Sequence, residues 1–307
     1  MKSILPVATI VAAIFAIWTA AVVPMNIHLT ADLAARQDIA VTPGTPAERK
    51  EVGAISLALQ NTGIWGMTYG LERPNLPSPK QVGAELYKSV LTVAPTSRRS
   101  LVYHAWVTLS ATLLGFAIGS VAGILLAVGI VYNRTMDKSV MPWAITSQTI
   151  PILALAPMVI VMLGSIGIQG LLPKSIISAY LSFFPVVVGM VKGLRSPDQM
   201  QLDLLKTYSA SGNQGFWKLR LPASMPYLFA SLKIGISASL VGAIVGELPT
   251  GARAGFGARM LVGDQYGQPI LTWAALFGAA ITAALLVALL SAIERGTLRR
   301  MGMGAAA

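Results

Sequence analysis

SPDQMQLDLLKTYSASGNQGFWKLRLPASMP, residues 196–226, is a polar and basic stretch set between two long apolar runs. Ser196 followed by Pro197 and, three residues on, Gln199 predicts a capping box with proline in the first helical position. Asp198 suits the positive end of the helix dipole. Met200, Leu204 and Tyr208 then recur every four residues, an apolar stripe that needs a partner surface, while Gln201, Asp203 and Lys206 point elsewhere. The small run 209–215, SASGNQG, predicts a break, because glycine and asparagine accept left-handed backbone angles. Phe216 to Leu221 resumes the helix, and Pro222 is expected to stop it.

The runs on either side explain why a polar hairpin stands there. Hydrophobic residues make up 54% of the 307-residue chain and charged residues 11%, with a mean hydropathy of +0.67. Too few polar groups remain to cover a soluble globule of this size, so the chain reads as an integral membrane protein. A spanning helix needs about 20 mostly apolar residues to cross about 30 Å of hydrocarbon. Six stretches qualify, at about 4–24, 101–132, 140–164, 171–192, 226–247 and 270–292, which makes the expected fold an all-α polytopic membrane protein with both termini on one side. The apolar run after Met1 and Lys2 is long for a signal peptide, so an uncleaved first span is expected.

Lysine and arginine in the short loops set the orientation. One face carries Lys2, Arg134, Lys138, Lys192, Arg195, Lys206, Lys218, Arg220, Arg295, Arg299 and Arg300; the other carries Lys174, Arg253 and Arg259. The first face, with the 196–226 hairpin and both termini, is expected in the cytoplasm. The eight basic residues of 25–100 do not count, because long segments cross largely regardless of charge. The expected organisation is a first span at 1–24, an extracytoplasmic excursion with short helices at 25–100, a five-span core at 101–292 that includes the cytoplasmic loop 193–225, and a cytoplasmic tail at 293–307. In the excursion, Pro43-Gly44-Thr45-Pro46 marks a loop. Val52 to Gly70 reads as a surface helix or a partial membrane dip, and a short amphipathic helix follows Leu76-Pro77-Ser78-Pro79 from Lys80 to Val90.

Several function classes fall away. The net charge of +11 is dispersed along loop edges and not gathered with aromatics, so membrane orientation explains it and nucleic acid does not. There is no cysteine, hence no disulfide or thiolate chemistry. No G-x-x-x-x-G-K-[ST] loop and no metal-ligand cluster occurs, and two isolated histidines do not build a zinc site. No cofactor is expected to bind this chain, and it is not expected to hydrolyse ATP. Gly115, Gly119 and Gly123 line one helix face for close packing. Pro151 and Pro157 are expected to kink or interrupt the third span, as a pathway lining or as a simple kink. Lys233 either snorkels to headgroups or faces the bundle interior. Glu247 reads as a solvated interfacial acid able to contact Arg253 or Arg259, and His104 as an interfacial histidine.

The 196–226 hairpin resembles the cytoplasmic "EAA" loop of ATP-binding-cassette (ABC) importer permeases, E-A-A-x3-G-x9-I-x-L-P. That frame places Asp203 at the acid, Leu204 and Leu205 at the alanines, Ser209 at the glycine, Leu219 at the isoleucine and Leu221-Pro222 at the end. Ser209 departs from glycine, and Ala210 or Gly212 then shares the turn. Further elements resemble the nitrate, sulfonate, taurine and bicarbonate branch: the Leu-Pro-Ser-Pro element, His104 with Thr108-Leu109 and Gly115-Phe116, the 148–164 run QTIPILALAPMVIVMLG, and Glu247 with Gly255-Phe256-Gly257. The resemblance implies a type I importer permease fold in a bacterial inner membrane, dimeric around a central pathway, with the hairpin as coupling helix. It implies ATPase subunits that hold ATP and magnesium, a periplasmic or lipid-anchored solute-binding protein, and a small anion as solute, with a vitamin precursor or aromatic acid as the alternative. Pathway candidates are Gln148, Thr149, Pro151, Lys233, Ser237 and Glu247. A gradient-driven transporter or a membrane scaffold are the rival classes, but neither accounts for the ordered elements.

Overall fold

The computed structural model describes residues 4–249 and 254–303. Lys2 and Arg253, used above for orientation and as a contact of Glu247, lie outside the described residues. The described residues form helices and connecting turns. The chain divides into two compact units, residues 1–102 with 259–278, and residues 103–258 with 279–307.

In the first unit α1 (Ile4–Arg36) runs past the expected end at residue 24, with Pro24 inside it. The extension is amphipathic and has something to pack on. Val23, Ile27, Ala31 and Ala34 are buried against Leu57 and Ala58 of α3 (Ala54–Gln60) and Ile64 of the turn after it, with Met67 of α4 (Trp65–Thr68) packed on the same cluster, while α2 (Pro46–Glu51) is tied to α1 by Arg49, paired with Asp32 at 2.9 Å. Residues 52–70 are therefore a set of short helical pieces laid on α1. Asn26, fully buried, receives the Leu76 amide at 3.1 Å and donates to the Leu76 carbonyl at 2.8 Å, pinning the chain just before the next helix. That helix, α5 (Pro79–Tyr87), is capped by Ser78 and Gln81 as a capping box with Pro79 in the first turn.

The second unit is built on α6 (Leu101–Tyr132), α7 (Arg134–Ser147), α8 (Ile152–Ser165), α9 (Leu171–Leu194), α10 (Gln199–Thr207), α11 (Gly212–Gly215), α12 (Leu221–Val245), the start of α13 (Phe256–Gln265) and the end of α14 (Pro269–Arg300). Among the described residues, five helices are long and apolar enough to cross a membrane: α1, α6, α9, the continuous 212–245 segment and α14. The expected third span is different. It is a helix pair, α7 and α8, bent by 96° across residues 148–151. Pro151 supplies no amide and drives Ile150 out of helical angles, so the break falls there. Pro157 sits inside α8 and does not interrupt it.

Small residues set the helix spacing. A Cβ on Gly115 would stand 2.4 Å from the Ser178 Cβ, and one on Gly119 2.3 Å from the Ser182 Oγ, so the glycine face of α6 lies directly on α9. Further along α9, a Cβ on Gly189 would stand 2.3 Å from the Ser231 Cβ of α12. Hydroxyls tie the three helices where they touch: Ser178 Oγ donates to the Ser239 carbonyl at 2.6 Å, and Ser239 Oγ to the Thr112 carbonyl at 2.9 Å. Buried serines thus satisfy backbone carbonyls of the neighbouring helix.

Candidate functional site

Two places in the second unit concentrate polar chemistry. The first is the 196–226 hairpin. Its helix starts later than the capping signal predicts: Asp198 is the N-cap, its amide donates to Gln201 Oε1 at 3.2 Å, and α10 begins at Gln199. Ser196 is occupied otherwise, closing α9 with a bond from its Oγ to the Gly193 carbonyl at 2.7 Å.

α10 ends in a Schellman turn. The Ala210 amide bonds the Leu205 carbonyl at 2.9 Å and the Ser209 amide the Lys206 carbonyl at 2.8 Å, with Ser209 left-handed at φ 53°. The turn is therefore held by Ser209 itself, and Gly212 is the first residue of α11 behind the N-cap Ser211. Pro222 does not stop the second arm either. A five-residue π-helix, Phe216–Arg220, leads into α12 without a break, because the missing proline amide falls where hydrogen bonding changes from the wide to the ordinary helical spacing.

The hairpin has a fixed base and an open tip. Phe216 and Leu221 pack on the core of Ala127, Ile130, Val187 and Met190, Arg220 Nη1 donates to the Leu194 carbonyl at 2.8 Å, and its guanidinium lies over Tyr132. Arg195 pairs with Asp137 at 2.9 Å beside it. Leu202, Leu205 and Leu219 are half-buried, whereas Met200, Leu204 and Tyr208 are exposed at 77%, 56% and 76%. A stripe of large apolar residues on a rigid hairpin is left uncovered. Asp203 lies beside it, hydrogen-bonded by Lys206 at 2.8 Å, which holds its carboxyl below the ordinary value.

The second place surrounds Glu247, which corrects the reading of a solvated acid. Its side chain has no exposure. Thr108 Oγ1 from α6 stands 3.0 Å from both carboxylate oxygens, the Gly257 amide donates to Oε2 at 3.0 Å, and Lys174 Nζ from α9 lies 3.6 Å from Oε1. The three amides of 255–257 are each met by a different side chain. Gly255 donates to His104 Nδ1 at 3.0 Å, Phe256 to Thr108 Oγ1 at 2.9 Å, and Gly257 to Glu247. His104 is accordingly buried, its ring receiving the Gly255 amide. Both glycines are required by space: a Cβ on Gly255, already at φ 121°, would stand 2.1 Å from the Glu247 Cδ, and one on Gly257 2.3 Å from the Ile244 carbonyl.

The other pathway candidates do not converge. Gln148, Thr149 and Pro151 are exposed at the break between α7 and α8. Ser237 Oγ donates to the Lys233 carbonyl of its own helix at 3.2 Å. Lys233 does not stand alone, for its Nζ pairs with Glu294 of α14 at 2.8 Å. Sequence reasoning missed Glu294 and used Lys174 only as a loop charge; the available signal was Lys233, which stands as the single acidic or basic residue of α12.

The helical membrane fold with this hairpin is that of a transport permease. The chain belongs to the family described as binding-protein-dependent transport system inner membrane component, whose model matches residues 119–302. It is similar to a probable ABC transporter permease protein of Haemophilus influenzae, 32% identical over 200 residues, 65% of this chain and 76% of that one. The formylaminopyrimidine transport permease protein ThiX of Halalkalibacterium halodurans is 32% identical over 182 residues, 59% of this chain and 68% of the relative. The nitrate import permease protein NrtB of Synechocystis sp. is 26% identical over 213 residues, covering 68% and 74%. The chain is thus a multi-pass inner-membrane permease component of an ABC importer.

Proposed function

We propose that this chain is the membrane-spanning subunit of an ATP-driven importer, that two copies enclose the pathway, and that both termini and the 196–226 hairpin face the cytoplasm. The observation that carries the reading is the exposed stripe Met200, Leu204 and Tyr208 on a hairpin whose base is packed into the helical core. Such a surface fits a cleft in a separate ATPase subunit, which holds ATP and magnesium. In this reading ATP-driven closure of the ATPase pair brings the hairpins together and swings the helices from inward-open to outward-open. A loaded solute-binding protein outside biases the same two states.

For the solute, we propose a small polar heterocycle of the pyrimidine kind. Lys174 and Lys233, basic residues within the membrane helices, are neutralised by Glu247 and Glu294, which leaves them no surplus charge to attract an anion. The similarity to a formylaminopyrimidine permease supports this reading. A small oxyanion is the second reading, favoured by the similarity to a nitrate permease. Affinity purification of the tagged chain from native membranes, with mass spectrometry of its companions, tests both levels. Recovery of a subunit with a Walker-type phosphate loop and of a binding protein that takes a pyrimidine supports the proposal. A binding protein that takes nitrate or a sulfonate instead overturns the solute, and recovery without any ATPase overturns the importer.

A further inference from the structure

The helix that leaves the hairpin is uninterrupted from Gly212 to Val245, through the π-turn and α12. Lys233 stands twelve residues beyond Leu221, about 18 Å along the helix at about 1.5 Å per residue. Its ammonium reaches Glu294, six residues before the end of α14, at 2.8 Å. The two side chains are 29% and 17% exposed, within helices whose apolar windows have mean hydropathies of 1.9 and 2.4. Toward α9, α12 makes contacts of a different kind, between small residues: Ser231 on Gly189, Ser224 on Gly193, and Gly242 on Ser178.

An ion pair in such surroundings is poorly explained by stability. Desolvation of both charges offsets their attraction, and apolar residues of similar size generally hold two helices as well or better. What the pair adds is direction. A charge-assisted bond at this length resists separation of two specific points on α12 and α14, much as the bond from Ser178 Oγ to the Ser239 carbonyl ties α9 to α12. We propose that Lys233 and Glu294 are positioning residues that transmit movement of the coupling hairpin along α12 to α14, so that α14 follows α12 when ATP binds. This rests on the coupling reading given above, and the test separates the two.

The chain contains no cysteine, so a single introduced cysteine is labelled in the purified chain before the ATPase is added. In the importer then assembled with its ATPase, one environment-sensitive fluorophore stands at Val241 of α12 and, in a separate preparation, at Leu289 of α14, positions 52% and 58% exposed. Each is read before and after trapping with ATP, magnesium and vanadate. With the native pair both reporters are expected to shift. In the double variant Lys233→Met/Glu294→Leu, which keeps the helices apolar and packed, the α12 reporter shifts and the α14 reporter stays silent. The swapped pair Lys233→Glu/Glu294→Lys recovers the α14 response. An α14 response in the Met/Leu variant equal to that of the native pair overturns the proposal, as does a silent α14 reporter beside a responsive α12 reporter in the native protein. A silent α12 reporter in the native protein removes the coupling reading and the proposal with it.

Discussion

Replacing Glu247 removes one charge, and in Glu247→Ala the bonds from Thr108 and Gly257 as well, at a point where three helices meet. In Glu247→Gln the shape is retained, and a carbonyl at the Oε2 position still accepts from the Gly257 amide and from Thr108, both at 3.0 Å. The new NH2 then takes the Oε1 position, facing the Lys174 ammonium that stood 3.6 Å away. Breaking a buried pair from one side costs about 3–5 kcal/mol. Lys174 keeps its bond to the Ala254 carbonyl at 3.2 Å and is 13% exposed, which puts the expected loss at the lower end, about 3 kcal/mol. Glu247→Ala additionally strands the Gly257 amide and the Thr108 hydroxyl, at about 1–3 kcal/mol for each buried group, so its loss is larger, about 5 kcal/mol or more. Thermal unfolding of the purified membrane protein in one detergent, followed by fluorescence-detected size exclusion, measures the order. A fall of about 5–10 °C is expected for Gln and a deeper one for Ala. A Gln variant that melts with the native protein, or an Ala variant no worse than Gln, would refute the view that this carboxylate holds the three helices.

The hairpin and the helix seams supply further tests. Ser209→Gly relieves a left-handed residue and is expected to stabilise the hairpin by about 1 kcal/mol, read as slower proteolysis between α10 and α11. Replacing Met200, Leu204 and Tyr208 together by serine is expected to leave insertion and melting unchanged while the ATPase is lost on purification, since all three side chains are exposed; full ATPase recovery would refute the docking surface. Gly119→Leu forces side-chain atoms into the Ser182 hydroxyl and the Ala179 carbonyl of α9, and is expected to abolish detergent-stable protein, whereas Gly296→Leu, with open space around it, is tolerated.

The hairpin and most spans were legible in the chain because their signals are local. The apolar run behind α6 has the length of the helix found, and the periodicity of Met200, Leu204 and Tyr208 marks a face whatever the rest of the chain does. Where an element's limit depended on a neighbour, the local signal failed. Pro24 and the polar residues after it read as the end of a span, yet α1 continues to Arg36 because α3 offers its second half a surface. Pro222 read as a stop, yet the π-turn before it absorbs the missing amide. Ser196 read as a cap, yet the end of α9 took its hydroxyl.

Hydropathy, which is a sum over residues adjacent in the chain, was sufficient for membrane class and for most of the spans. The fate of each ionisable residue within those spans was not available from such sums. Glu247 lies 139 residues from Thr108, and Lys233 lies 61 from Glu294, and nothing in their own neighbourhoods says that they meet. Burial makes a charge costly until a partner arrives, and the partner is delivered by the close packing of α6, α9 and α12 through glycine and serine and by the return of α14. The chain fixes where the charges are, and only the folded helices fix whether each is solvated, paired or exposed.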